Sequence, residues 1–165
     1  MVRLYRWDMV DYNRNQWPTG DVIGPFKNDF EYLSNFYEAD LVYNGTEFAT
    51  SEHAFQAMKA LDEEELYDEI ASSTDPKEAK KLGKKADLPE DWHDDRKYIM
   101  LEIVTAKFAQ NRDLREKLIG TEDELLVELN WWNDTYWGAD STSGEGKNML
   151  GRILMEVRSS LQSVH

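Results

Sequence analysis

The sequence predicts an α+β fold: one mostly helical domain over residues 1–165, with a few short strands and a hairpin near 40–50. Three observations predict it. Apolar residues recur three or four positions apart in two long stretches, 93–109 and 147–162, which is the helical period. Asn44-Gly45 lies between Asp40-Leu41-Val42-Tyr43 and Thr46-Glu47-Phe48-Ala49, and Asn-Gly between such runs is a strong short-range hairpin signal. The chain has 165 residues, 41% of them hydrophobic and 12% aromatic, enough to fill one core, which argues against disorder.

The elements follow in order. Residues 2–7 read as a short strand, and 8–29 are turn-rich, with Asn13, Asn15, Pro18, Gly20, Gly24 and Pro25. Directly after the hairpin a helix is predicted over 51–61. Asp62-Glu63-Glu64-Glu65 opens a short helix that runs to about Ala71. Asp75-Pro76 starts a third, with Asp75 as its cap and Pro76 at the first helical position, where no N–H is needed. That helix carries Lys77, Lys80, Lys81, Lys84 and Lys85, read as a solvated basic face, with phosphate contact as the competing reading. On the helix over 93–109, Ile99, Ile103, Ala106 and Ala109 form an apolar stripe that Met100, Val104 and Phe108 extend. A short helix over 112–119 and a strand at Glu124-Leu125-Leu126-Val127-Glu128-Leu129 come next. The final helix puts Leu150, Ile153, Leu154, Val157 and Leu161 on one face.

Charge and cysteine content narrow the function. The formal net charge of −14 repels free nucleic acid, so strong non-specific DNA binding is not expected. A small anionic ligand still fits a locally positive site. With no Cys there is no disulfide and no thiolate nucleophile. No apolar run is long enough to span a membrane, and the N-terminus lacks the apolar core of a signal peptide, so a cytoplasmic protein without membrane partners is expected. Three His without Cys, and Ala57 four residues after His53, give no zinc-helix spacing; no metal and no cofactor are expected.

Three segments could carry chemistry. In Ser51-Glu52-His53-Ala54-Phe55-Gln56-Ala57-Met58-Lys59-Ala60, helical spacing puts Glu52, Phe55, Gln56 and Lys59 on one face. A carboxylate, an amide and an amine beside a ring could hold a polar substrate and move protons; the plainer reading is a surface charge pair around a half-buried Phe. Asn130-Trp131-Trp132-Asn133-Asp134-Thr135-Tyr136-Trp137-Gly138 could be a stacking wall for a base with a buried carboxylate, or a core cluster in which Asp134 caps a turn. Gly144-Glu145-Gly146-Lys147-Asn148 opens a helix, where free N–H groups and the helix dipole would favour an anion, although Ser141 and Asn148 break the phosphate-loop pattern.

Four segments in this order resemble the NADAR, or YbiA-like, family. They are Phe30-Glu31-Tyr32-Leu33-Ser34-Asn35-Phe36; Ser51-Glu52-His53 through Gln56 and Lys59; Trp132-Asn133-Asp134 with Trp137-Gly138; and Gly146-Lys147-Asn148-Met149-Leu150-Gly151 through Arg158. Leu88-Pro89-Glu90-Asp91-Trp92 and Ala106-Lys107-Phe108-Ala109-Gln110-Asn111 fit its intervening motifs, so the resemblance covers about 24–162. It implies a compact α+β N-glycosidase that cleaves a bond between ribose C1 and nitrogen. The implied substrates are phosphorylated riboflavin-pathway intermediates, or ADP-ribose on the amino group of guanine, including guanine in nucleic acid. Carried onto this chain, it points to Glu52, Lys59, Trp92, Asp134, Trp137 and Asn148, and Glu52, Lys59 and Asp134 are the catalytic candidates. Asn35, Phe36, Gln56, Trp92, Trp137, Gly138, Lys147 and Asn148 become the substrate-binding candidates. Asn133 stands where members often have His, and Glu90 where Arg or Val is common; both departures bear on substrate choice more than on reaction type.

Hydrolysis at C1 of a ribosyl amine passes through an oxocarbenium-like or ring-opened iminium state. A carboxylate can stabilise that charge or activate water, and a neutral Lys can attack the imine. The residues leave both routes open for Glu52 and Lys59. Two other classes compete: a non-catalytic module binding ADP-ribose or a related nucleotide, and an acidic DNA mimic suggested by the net charge.

Overall fold

In the computed structural model, which describes residues 22–163, the first regular element is β1 (Val22–Ile23), followed by a 3-10 helix (Asn28–Leu33). The strand expected at 2–7 and the turns up to residue 21 lie outside the described residues. The hairpin forms as expected, from β2 (Leu41–Tyr43) and β3 (Thr46–Phe48), antiparallel in the register Leu41 to Phe48. Asn44 and Gly45 turn it at φ of 52° and 74°. A two-residue turn with both φ positive matches the twist of the strands, and Asn and Gly tolerate that region. Next come α1 (Ser51–Ala57), continued by a 3-10 turn (Met58–Ala60), then α2 (Glu64–Ser72) and α3 (Pro76–Gly83). The later elements are α4 (Trp92–Gln110), α5 (Arg112–Ile119), β4 (Leu125–Leu126), β5 (Leu129–Asn130), β6 (Ala139–Asp140) and α6 (Met149–Gln162). The fold is α+β, as the sequence predicts. Among the described residues no helix is long and apolar enough to cross a membrane.

The chain forms two compact units, Asn35–Leu114 and a second made of the segments before and after it. In the Asn35–Leu114 unit, α1 is buried along its whole length, with α2, α3 and α4 packed on it. Phe48, Phe55, Met58, Ile70, Leu82, Met100, Ile103 and Phe108 fill the core; each large apolar side chain removed from water contributes about 1.5–3 kcal/mol. The buried stripe of α4 is Met100, Ile103, Val104, Lys107 and Phe108, while Ala109 is exposed and Ile99 and Ala106 only half-buried. The stripe is therefore rotated from the one expected. Lys107 sits inside it at 1% exposure, with its Nζ 5.8 Å from the centre of the Tyr37 ring. Gln110 serves as a strand partner: Val42 N–H donates to its Oε1 at 2.7 Å, and its Nε2 donates to the Val42 carbonyl at 2.9 Å. Asn111 Nδ2 donates to the Asp40 carbonyl, so the Gln110-Asn111 pair anchors the hairpin.

In the other unit, β1 pairs with β4 and β5 with β6, both in parallel. The strand expected over 124–129 breaks in two. Val127 N–H turns to the Ile23 carbonyl, and Glu128 N–H is taken by the Asn148 side chain, so the ladder is interrupted between them. α6 buries Leu150, Ile153, Leu154 and Val157 as expected; Leu161 stays half-exposed.

Candidate functional site

Thr50 starts α1 by accepting the His53 N–H at 3.1 Å, and its hydroxyl also meets His53 Nδ1 at 2.7 Å. The Ser73 carbonyl lies 3.0 Å from His53 Nε2. A carbonyl only accepts, so Nε2 carries the proton and Nδ1 accepts from Thr50. His53 is thus a structural pin between α1 and the end of α2. One residue earlier, the Glu52 N–H donates to the Asn35 carbonyl at 3.0 Å, which ties Asn35 to the helix start.

Glu52 is 7% exposed, and its Oε1 accepts from Gln56 Nε2 at 2.7 Å. A buried carboxylate is costly unless it is hydrogen-bonded, and Gln56 supplies such a bond. Gln56 Oε1 is buried and has no hydrogen-bond partner among the described residues. It rests against Gly83 of α3, where a Cβ would overlap Oε1 and come within 2.9 Å of Gln56 Cδ. At the end of α3, Gly83 makes room for the amide that holds Glu52. Gly83 is the last residue of α3, and its place in a Lys-rich run is the only signal of this contact in the sequence. Gly83→Ala is expected to leave the secondary structure intact. It should push the Gln56 amide off Glu52 and lower turnover about tenfold, on the order of one charge-assisted hydrogen bond. Circular dichroism with steady-state kinetics checks this; unchanged turnover would separate Gln56 from the chemistry.

Lys59 lies beyond the α-helical part of α1, on the 3-10 turn, and is half-buried. Its Nζ stands 5.7 Å from the centre of the Phe55 ring and 5.9 Å from that of Trp92, whose rings are 5.2 Å apart. Trp92 is 4% exposed, so its ring floors the lysine from within the core rather than offering an open stacking face. Burial lowers the Lys59 pKa below its ordinary value; the Glu52 carboxylate opposes the shift, and Lys80, Arg96 and Lys84 add to it. The structure thus brings Glu52, Gln56, Lys59, Phe55 and Trp92 together in one unit. Phe36 of the same unit is 38% exposed. Asn35 Nδ2 lies 3.5 Å from Met100 Sδ.

The remaining candidates lie in the other unit, and several have different roles from those expected. Asp134 is half-exposed rather than buried, and its Oδ1 accepts the N–H groups of Tyr136 and Trp137 at 3.1 and 2.9 Å. It caps a turn, the plainer of the two readings. Trp131 and Trp132 are 62% and 59% exposed, so the Trp cluster is not a closed stacking wall; Trp137 is half-buried and packs edge-on to Tyr136. Gly138 is buried where a Cβ would overlap the Glu128 carbonyl, so the close packing there requires Gly. The anion site expected at Gly146-Lys147-Asn148 is corrected. The N–H groups of Lys147, Asn148, Met149 and Leu150 donate to the carbonyls of Thr135, Gly138, Tyr136 and Trp137, so the amides that would hold an anion are spent. The Lys147 side chain is exposed. Asn148 is 0% exposed; its Nδ2 donates to the Leu126 carbonyl and its Oδ1 accepts from Glu128 N–H, both at 2.9 Å. It pins α6 to the β4–β5 segment, with one donor and one acceptor of its amide spent there. Among the described residues no group of His, Asp or Glu is placed to hold a metal ion.

The chain matches the NADAR domain over residues 23–162. It is 37% identical over 155 residues to N-glycosidase YbiA of Escherichia coli (strain K12), covering 93% of this chain and 91% of that protein. Over 136 residues it is 36% identical to an N-glycosidase of Nostoc punctiforme, covering 80% of this chain and 86% of that one. A riboflavin biosynthesis protein of Vibrio vulnificus is 38% identical over 133 residues, which span 79% of this chain but 35% of that protein. The NMR structure of E. coli YbiA superposes with a TM-score of 0.77 at 34% identity, covering 92% of this chain and 91% of that one.

Proposed function

This chain belongs to the NADAR family, and on that premise we propose that it is an N-glycosidase that hydrolyses a ribose C1–N bond with Glu52 and Lys59 as its working groups. The observation that carries the reading is the pairing of a buried carboxylate, which accepts from the Gln56 amide, with a half-buried lysine whose ammonium form is disfavoured. A surface charge pair would have neither feature. A ribosyl amine opens its ring to an imine at C1. Neutral Lys59 attacks that carbon, and the original amine leaves as the new imine to Lys59 forms. Water then adds to this imine, releases the sugar as an aldehyde and returns Lys59 as the amine. Glu52 serves the proton transfers and balances the iminium charge. Asp134 keeps one carboxylate oxygen that its turn does not use, and its part in catalysis is a separate question for the Asp134→Asn variant.

The substrate classes in this proposal are phosphorylated ribosylamino-pyrimidines and ADP-ribosylated guanine. The Vibrio relative's name favours the first. Mass spectrometry of products from a panel tests both: a ribosylamino-pyrimidine phosphate, ADP-ribosylated guanine in DNA, ADP-ribose and NAD. Release of a free base or amine together with the matching sugar phosphate or ADP-ribose is expected from one of the first two. Stoichiometric binding of ADP-ribose with no product from any substrate would favour the non-catalytic module instead.

A further inference from the structure

The start of α6 has no amides left for an anion, and the substrates proposed above carry one. Positive charge is concentrated elsewhere, in the Asn35–Leu114 unit. The Gly83–Gln56 approach sets how α3 lies on α1. Lys80 stands one helical turn before Gly83, so it lies on the side of α3 nearest α1, and Lys84 is one turn further along the same edge. Both are exposed. Arg96 lies one turn after Trp92 on α4, and Trp92 packs on Phe55 beneath Lys59. α3 and α4 both pack on α1, so Lys80, Lys84 and Arg96 come from two elements that flank the helix leading to Lys59, in a protein whose net charge is −14. We propose that Lys80, Lys84 and Arg96 form a phosphate-binding rim beside Lys59, which takes the phosphomonoester or diphosphate of the substrate.

The charges on Lys80, Arg96 and Lys84 also act on Lys59, with the sign expected of neighbouring cations. Like charges held together repel one another, and an anion among them relieves that repulsion. The rim would draw in a phosphorylated substrate and help keep Lys59 neutral until it arrives. Lys81, on α3, and Lys85, two residues past its end, each follow a rim lysine by one position, which turns them about 100° round the helix axis, so the same segment supplies its own control.

The inference rests on the hydrolase reading for the identity of the substrate but not for anion binding itself, and the test keeps the two apart. The variants are K80A/K84A and K81A/K85A, which change net charge equally. The first readout is the kcat/KM ratio between phosphorylated and dephosphorylated forms of the substrate that the panel identifies. K80A/K84A is expected to shrink that ratio about tenfold or more, on the order of a lost charge-assisted contact, while K81A/K85A leaves it within twofold. The second readout is calorimetric titration with inorganic phosphate, inorganic pyrophosphate and ADP-ribose, which requires no turnover. Weaker binding to K80A/K84A alone supports the rim even where no hydrolysis is found. Preference for pyrophosphate and ADP-ribose over phosphate assigns the rim to a diphosphate; the reverse assigns it to a monoester. Equal losses in both double variants would reduce the effect to overall charge and overturn the proposal. So would an unchanged ratio with unchanged titrations in a K80A/K84A protein that still hydrolyses its substrate, and in that case the hydrolase reading would stand.

Discussion

Lys59→Ala is expected to abolish turnover, by a factor of about 10³ or more, in a protein that folds normally and still binds ligand. Lys59 lies on a half-buried 3-10 turn, and the core beneath it is made by Phe55, Met58 and Trp92, so little packing is lost with it. Borohydride added during turnover should reduce the imine and leave the sugar covalently on Lys59, where peptide mapping would locate it. Glu52→Gln should lower turnover by about 10²–10⁴-fold, the usual range for general acid–base catalysis, while keeping an oxygen for the Gln56 amide. The pH dependence has a definite sign. Attack requires neutral Lys59, so kcat/KM should rise with pH and level off below the ordinary lysine range, because burial and the cations Lys80, Arg96 and Lys84 lower its pKa. Removing the Glu52 charge removes the one opposing influence, so residual activity in Glu52→Gln should level off at still lower pH. Asp134→Asn keeps the acceptor for its turn, so lost turnover in that variant would report chemistry rather than folding. Near-normal turnover in Lys59→Ala would eliminate the imine route and leave the reaction to the Glu52 carboxylate.

Asn148→Ala is expected to cost about 3–5 kcal/mol of stability, a large share of the 5–15 kcal/mol that holds a typical domain together. The substitution strips partners from the Leu126 carbonyl and the Glu128 N–H at a fully buried position, at about 1–3 kcal/mol per group. It also places Ala at a φ of 49°, where a Cβ without a compensating polar group costs roughly 1–2 kcal/mol. Urea denaturation would show a lower midpoint with little change in slope. Asn148→Gly separates the contributions: it removes the backbone strain but leaves both orphaned groups, so it should recover only a minor part of the loss. Unaltered stability with lost substrate affinity would return Asn148 to the binding site.

Much of the framework was legible in the sequence because it rests on local interactions. The Asn44-Gly45 turn, the Asp75-Pro76 start of α3 and the helical periods of α4 and α6 act within a few residues of themselves, and each element formed close to its expected limits. The helical spacing of Glu52, Gln56 and Lys59 was visible for the same reason. The burial of α1 on every side was not visible, because it depends on which helices pack there, and burial is what turns a charge pair into a buried carboxylate bonded to the Gln56 amide and a weakened ammonium. Asn148 and Gly138 had the residue types of a ligand loop. Their partners are backbone groups some ten to twenty residues away in the chain, so only the folded chain shows that they are structural. The start of α6 reads as an open anion site from its own residues; the carbonyls of 135–138 close it. Gly83 carried no local signal that named its contact with Gln56. Sequence by itself therefore determined the elements and the chemical groups available. Tertiary structure decided which of those groups are spent on backbone partners and which remain for a substrate, since long-range packing and desolvation distribute hydrogen bonds that no local pattern encodes.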